Sequence, residues 1–347
     1  MDQRIKRADL KVGMYVLSYG LGTFESPLVQ VNKPLLSPRC IQTLLPASAE
    51  DIRIDPAINI GLLGQERPVG VPITTSLSDE LPIAKRLYGE ALVHVRGFVD
   101  DVRKGKDIDY REAEPLVDNF IESVFRNETA SATLFKLRWF DEYTYTHSIN
   151  VSILAIILGK HLDMDKPTLH KLGIAGLYHD AGKARIPEAI LNKPGKLTEQ
   201  EFQVMKSHPL EGYRLMQGQP GLDPEILRAV VEHHERFDGT GYPRGLRHDD
   251  IGRFSRIISV VDVYDALTSR RVYKDPIPPA KALGMMYQWR DRDFTPQAIE
   301  NFIRCMGVYP VGSLVRLSNG EYGIVATSNA VRPSKPEVKV VLDAKKR

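Results

Sequence analysis

Cysteine is almost missing from this chain, Cys40 and Cys305 being the two in 347 residues. No disulfide framework can hold such a fold, and a reducing compartment, the cytoplasm, is the expected location. Long apolar runs are missing too. The longest strongly apolar run, Val151 to Leu158, is far short of the roughly 20 residues that a membrane-spanning helix needs. The opening MDQRIKRADL holds no apolar signal region, so a soluble protein with no membrane partner is expected. Neither sign of charge dominates. Lys and Arg number 47 against 44 Asp and Glu, a net charge of +3, which argues against a nucleic-acid polymer as partner. The basic ending Lys345-Lys346-Arg347 reads as a solvated tail, and neither an internal repeat nor a low-complexity segment is found. What remains, 42% hydrophobic and 26% charged residues, is ordinary for a folded chain long enough for two domains.

Residues 1–66 read as a small α+β module. Gly13 to Ser18 and Ile52 to Asp55 are short strand patterns, and Ser37 to Leu45 is a candidate short helix begun by Ser37 and Pro38. Residues 67–81, with Pro68, Gly70 and Pro72, read as a linker. Connecting helices are expected within 82–128, at about Ile83 to Lys104 and Tyr110 to Asn127. Their amphipathic pattern fits three roles: carrying a signal, pairing with a second subunit in a homodimer, or capping a core. After residue 310, Gly312 to Leu317, Asn319-Gly320 and Glu321 to Thr327 spell a β-hairpin, with Glu337 to Leu342 as a possible third strand. The helix before it should begin at Thr295-Pro296 and run through Cys305, with Thr295 as cap.

Between these ends the chain gathers histidines and carboxylates. Acidic Asp141 and Glu142 suit a helix start, and Val151, Leu154 and Leu158 continue the face on which His147 sits. Leu172 to Tyr178 lead into His179-Asp180-Ala181-Gly182-Lys183. Thr198 to Glu201 form a capping box expected to open a helix through Tyr213, with His208 on its less polar side. Asp223 is the expected cap of a further helix and Pro224 its first residue. On it Ile226, Val230 and His233 share an apolar face, with Leu227, Val231 and His234 beside it, and the helix should stop at Asp238-Gly239-Thr240-Gly241. Neighbouring helical residues point about 100° apart, so His233 and His234 cannot easily bind one ion from one side, but could serve two neighbouring ions. In Arg256 to Ser269, Asp262 lies in a row with Ile257, Ile258, Val261 and Leu267. A carboxylate unpaired there would be strongly destabilising, and a metal ion would remove that cost. Each signal alone has an ordinary alternative. A lone histidine on an apolar face is more often a core residue, a His-Asp pair often only hydrogen-bonds, and His94 reads as a packed or exposed histidine without a function.

Together the motifs carry more. His233-His234-Glu235, Asp238-Gly239, Gly241-Tyr242-Pro243, Gly245-Leu246, Arg256-Ile257, Asp262, Asp265-Ala266-Leu267-Thr268 and Arg271 stand at a spacing that resembles the HD-GYP signature, over about residues 130–310. LKVGMYVL followed by DIRID resembles the domain of unknown function found ahead of some HD-GYP domains. The resemblance implies a mainly α protein: an all-helical catalytic domain at 129–310, the α+β module before it, and a short β appendage at 311–347.

It also implies a ligand set. His147, His179, Asp180 and Asp262 would hold a first ion, and Asp180 would bridge to a second held by His208, His233 and His234. Tyr143 stands where members with three ions carry an acidic residue, so two divalent ions are expected, Fe or Mn before Zn. The implied reaction is hydrolysis of cyclic di-GMP to pGpG, and onward to GMP, by a hydroxide bridging the two ions; cyclic GMP-AMP is a related substrate. Asp180 and Lys183 are the expected catalytic residues, Lys183 holding a non-bridging phosphate oxygen. Arg271 and Lys274 would take the second phosphate, while Gly239, Gly241 and Tyr242 would shape the pocket and offer a ring to a base. The bland alternatives are a solvated Lys183, helix-dipole roles for Arg271 and Lys274, and a structural Tyr242. Two rival functions stand beside this one. One is an HD phosphohydrolase of another nucleotide. The other is a cyclic-dinucleotide-binding scaffold that docks diguanylate cyclases, the GGDEF proteins, through the GYP loop.

Overall fold

Short runs rich in β-branched and aromatic residues build the first of two units, Met1–Pro72 and Ile73–Arg347, in the computed structural model. The residues described are 3–6, 10, 15–20, 29–34, 50–55, 74–134, 143–269, 275–327 and 335–342. In the first unit β1 (Gln3–Ile5), β2 (Tyr15–Gly20), β3 (Val29–Pro34) and β4 (Glu50–Asp55) form an antiparallel sheet in the order β1-β4-β2-β3. Ile5 pairs with Ile52, which is fully buried, and the β2–β4 register shifts between Val16 and Ser18. The helix expected at Ser37 to Leu45 lies outside the described residues.

The second unit begins with α1 (Leu77–Arg103). It starts earlier than the sequence pattern predicts, because Ser76 caps it by accepting from the Asp79 N–H and Pro82 is tolerated near its start. The chain thus enters a helix inside the segment read as linker. Helix α2 (Glu114–Leu134) breaks direction at Asn127, whose side chain accepts from the Ala130 N–H and donates to the Thr75 carbonyl. Fully buried Glu80 is clamped by two hydrogen bonds from Arg126, at 2.7 and 2.9 Å, and one from Ser123. The apolar faces of α1 and α2, including Leu87, Val95, Val99, Val117, Phe120 and Val124, are spent on this unit's own core.

At the centre α3 (Tyr143–His161) is apolar nearly all round and crosses α4 (Lys166–Tyr178) closely. A Cβ on Gly176 would lie 2.8 Å from Ser152 Cα, so only glycine permits this approach. The approach brings His147 of α3 opposite His179, which follows α4, with ring centroids 5.2 Å apart. After the short α5 (Glu188–Leu191) comes α6 (Glu199–Met205), opened by the expected Thr198/Glu201 capping box. It does not run through Tyr213. The helix stops at Met205 and α7 (His208–Met216) restarts with Pro209 in its first turn, placing His208 at a helix start.

Helix α8 (Pro224–Glu232) has the Asp223 cap as expected but ends at Glu232, with His233 as its C-cap, well before the glycine turn. Helix α9 (Arg253–Thr268) carries Asp262, and α10 (Pro279–Gln288) and α11 (Pro296–Met306) close the bundle. Thr295 stands at the cap position of α11, but its side chain makes no capping bond. Strands β5 (Leu314–Arg316), β6 (Tyr322–Thr327) and β7 (Glu337–Leu342) form an antiparallel sheet, its first hairpin turning at Asn319-Gly320 with Gly320 at φ +90. No helix among the described residues is long and apolar enough to cross a membrane.

Candidate metal centre

Five elements deliver seven side chains to one point: α3 gives His147, the turn after α4 gives His179 and Asp180, the start of α7 gives His208, the end of α8 gives His233 and His234, and α9 gives Asp262. Glycine again sets the closeness. A Cβ on Gly182 would lie 1.9 Å from the His208 carbonyl oxygen, so the turn carrying Asp180 and the start of α7 touch backbone to backbone. All but His234 are buried, and His234, 26% exposed, stands at the mouth.

The ring nitrogens are oriented from behind. Nδ1 of His179, His208 and His233 lies 2.7, 2.7 and 2.8 Å from the carbonyls of Gly176, Met205 and Val230. A carbonyl can only accept, so each Nδ1 carries the proton and each Nε2 turns a lone pair to the common centre. His147 is held instead by a carboxylate, its Nδ1 donating to Asp265 Oδ2 at 2.7 Å. Its Nε2 is 3.0 Å from Asp262 Oδ1 and 3.5 Å from Asp180 Oδ2. His208 Nε2 is 3.2 Å from Asp180 Oδ1 and also 3.2 Å from His233 Nε2.

These facing lone pairs fit cations. Two unprotonated nitrogens at 3.2 Å repel unless a positive charge lies between them, and the buried His179 Nε2 and Asp180 Oδ1 have no hydrogen-bond partner. The donor atoms of Asp180, His208, His233 and His234 lie within 4.8 Å of one another, as do those of His147, His179 and Asp180. Asp180 belongs to both groups. Mixed imidazole and carboxylate donors suit a divalent metal ion, and the buried cluster is a divalent-metal-binding site.

Because the helix ends at Glu232, the His233 and His234 rings come to 4.2 Å at a tilt of 45° and their donor atoms join one group with those of Asp180 and His208.

The charges agree with a cationic centre. Burial alone would raise the Asp180 and Asp262 carboxyls, yet both are held well below the usual range, Asp180 chiefly by Lys183 and His179, Asp262 by His147. Burial depresses His233 strongly and His234 to about 3, which keeps both neutral and able to ligate. For His147, burial is outweighed by Asp262 and Asp265, which push it up to about 9. The Lys183 ammonium sits against Asp180 Oδ2.

Behind the histidines lies the glycine loop. Gly239 has φ +81, and a Cβ on Gly241 would fall 2.3 Å from the Arg236 nitrogen. Buried Glu235 accepts from the Arg244 and Leu246 N–H groups at 2.7 and 2.9 Å and so fixes the loop. The loop lays the Tyr242 ring 4.8 Å from the His234 ring at 32°, and Lys206 Nζ lies 5.5 Å from the centroid of the Tyr242 ring and 4.7 Å from that of Phe202. Arg271 and Lys274, expected to bind the second phosphate, lie outside the described residues, as does the side chain of Tyr143.

Sequence reasoning gave no role to Asp265, Asn150, Glu235 or Lys206. Asp265 is three residues after Asp262 and Asn150 three after His147, each one turn along the same helix face, a spacing that marks them. His94 has a partner after all, Tyr178 Oη at 2.9 Å from its Nε2.

A helical bundle with two adjoining His/Asp donor groups sharing one aspartate defines a metal-dependent hydrolase of the HD type. Residues 126–297 match the HD domain family, and residues 2–113 match a domain of unknown function, DUF3391. The chain is 36% identical, over its whole length and 87% of the relative's, to cyclic di-GMP phosphodiesterase PA4108 of Pseudomonas aeruginosa. It is 36% identical to the cyclic di-GMP phosphodiesterase response regulator RpfG of Xanthomonas campestris, over 51% of this chain and 47% of that one. Among solved structures, the HDG"Y"P protein Bd1817 from Bdellovibrio bacteriovorus shares the fold at a TM-score of 0.55, with 18% identity over 87% of this chain and 97% of its own. The chain belongs to the HD-GYP family of HD-domain phosphodiesterases.

Proposed function

We propose that this phosphodiesterase opens cyclic di-GMP to pGpG and continues to GMP. The observation that carries the reading is Asp180, whose two oxygens face two different imidazole groups: Oδ2 approaches His147 and His179 at 3.5 and 3.3 Å, Oδ1 approaches His208 and His233 at 3.2 and 3.7 Å. A first ion would be held by His147, His179, Asp180 and Asp262, a second by Asp180, His208, His233 and His234. Two divalent ions held there, Fe or Mn, would supply Lewis acidity and lower the pKa of a bound water, making hydroxide available to attack phosphorus near neutral pH. Lys183 then turns from Asp180 to a non-bridging phosphate oxygen. The Tyr242 face receives a base, and Gly239 and Gly241 hold the loop that presents it. The cyclic di-GMP assignment draws support from the relative matched over the whole chain; the relatives named as 3'3'-cGAMP-specific match over shorter stretches, 31% identical over 56% of this chain in one case.

The test is turnover of cyclic di-GMP by protein purified without oxygen and loaded with Fe or Mn, products separated by chromatography, beside Asp180→Ala. Appearance of pGpG or GMP, lost in the variant, supports the reading. Bound but uncleaved dinucleotide with every metal would replace it with a receptor, and faster cleavage of cyclic GMP-AMP would replace the substrate.

A further inference from the structure

We propose that Tyr88 and Asn150 are positioning residues for the metal centre, acting through a buried hydrogen-bond relay that runs from α1 to His147. The proposal rests on the reading of His147 as a metal ligand. Tyr88 Oη donates to Asn150 Oδ1 at 2.9 Å, Asn150 Nδ2 donates to Asp265 Oδ1 at 2.8 Å, and Asp265 Oδ2 accepts from His147 Nδ1 at 2.7 Å. Each of the four is at most 6% exposed, so water does not substitute for any of these bonds.

The direction of the relay has one solution. A carboxylate only accepts, so Asn150 must turn its NH2 toward Asp265; its carbonyl then faces Tyr88, which must donate. Ser269 Oγ also donates to Asp265 Oδ1, at 3.0 Å. Pinned on Oδ1 from two sides, the carboxylate presents Oδ2 to His147 in one orientation, and that fixes both the ring and the tautomer whose Nε2 faces Asp262 and Asp180. Without the Tyr88 hydroxyl, the Asn150 carbonyl is buried without a donor and the amide is free to turn, loosening Asp265. Helix α1 supports the opposite ligand as well, since His94 meets Tyr178, the residue before His179. A shift of α1 is therefore transmitted to the site by bonds already in place.

The experiment is Mn2+ affinity of the full-length protein, measured by competition with a chelator, for wild type, Tyr88→Phe, Asp265→Asn, the double variant, and Leu87→Ala as a control. Leu87 is buried on the same helix and outside the relay. Tyr88→Phe is expected to weaken Mn2+ binding about tenfold, the lower range for groups behind a ligand, and to add nothing in the Asp265→Asn background. Leu87→Ala should lower the melting temperature while leaving Mn2+ affinity as in wild type. Tyr88→Phe affinity equal to wild type overturns the relay, as does an equal loss in Leu87→Ala or multiplying losses in the double variant. A wild-type protein that binds no Mn2+ or Fe2+ instead overturns the metal reading on which the relay stands.

Discussion

His147 and Asp265 are joined at 2.7 Å between Nδ1 and Oδ2, while the opposite nitrogen of the same ring lies 3.0 Å from Asp262 Oδ1. The two aspartates stand one turn apart on α9 and grip one imidazole from both ends. They have different tasks. Asp262 faces the other donor atoms, whereas Asp265 faces away and raises the basicity of the ring that would meet the ion.

Asp265→Asn separates these tasks. An amide cannot balance the ring charge and can present its NH2 to Nδ1, which favours the wrong tautomer. Metal affinity should fall by roughly 10–100-fold with the fold retained. Chelator competition checks the first and circular dichroism the second; unchanged affinity would remove Asp265 from the site.

The pH dependence of the metal-free protein follows from three rings. Burial lowers His233 strongly and His234 from 6.5 to about 3, so below 6.5 the unfolded chain binds protons that these sites refuse. Stability should fall as pH drops from 6.5 toward 3. His147 works the other way. Asp262 and Asp265 outweigh burial and raise it to about 9, so its contribution is complete below 6.5 and lost as pH rises through 9. Melting temperatures of chelator-treated protein should therefore peak near 6.5. Added Mn2+ should remove the alkaline decline, because ligation requires His147 to lose its proton anyway.

The residues that converge around Asp180 were legible through the motifs that carry the family resemblance: His147, the His179-Asp180 pair, His208, the His233-His234 pair and Asp262. Their support was not. Tyr88 is an ordinary apolar-face residue of an amphipathic helix, and nothing local distinguishes a core tyrosine from one that donates to Asn150. Helix ends failed for a related reason. The apolar pattern continues across Met205 to Pro209 and past Glu232, while the chain breaks at both places to aim His208 and His233 at Asp180. At the other end, Pro82 hid a helix that the Ser76 cap starts ahead of it.

Gly241→Ala tests the loop. The new Cβ would meet the Arg236 nitrogen at 2.3 Å and Glu235 Cα at 2.5 Å, both backbone atoms that cannot swing aside. The loop must open, carrying Tyr242 from His234. Mn2+ affinity should stay near wild type while KM for cyclic di-GMP rises about tenfold, the scale of one lost base stack. A variant with normal KM would show that the loop shapes no pocket.

Tyr242 can be divided between its ring and its hydroxyl. Burial raises the phenol far above its ordinary value, so it stays protonated throughout the working pH range and offers no base. Its use must come from the ring, which has the His234 ring at 4.8 Å and the Lys206 ammonium at 5.5 Å. A cation near the ring and the His234 imidazole beside it hold the ring in place before substrate arrives, which limits the entropy lost on stacking a base. Tyr242→Phe keeps all of this and should hold kcat/KM within about threefold of wild type, whereas Tyr242→Ala should lose about 10–100-fold, mostly in KM. Lys206→Met should lose less than Tyr242→Ala, since it removes the charge and leaves the ring. Equal losses in the phenylalanine and alanine variants would assign the function to the hydroxyl and overturn the stacking account.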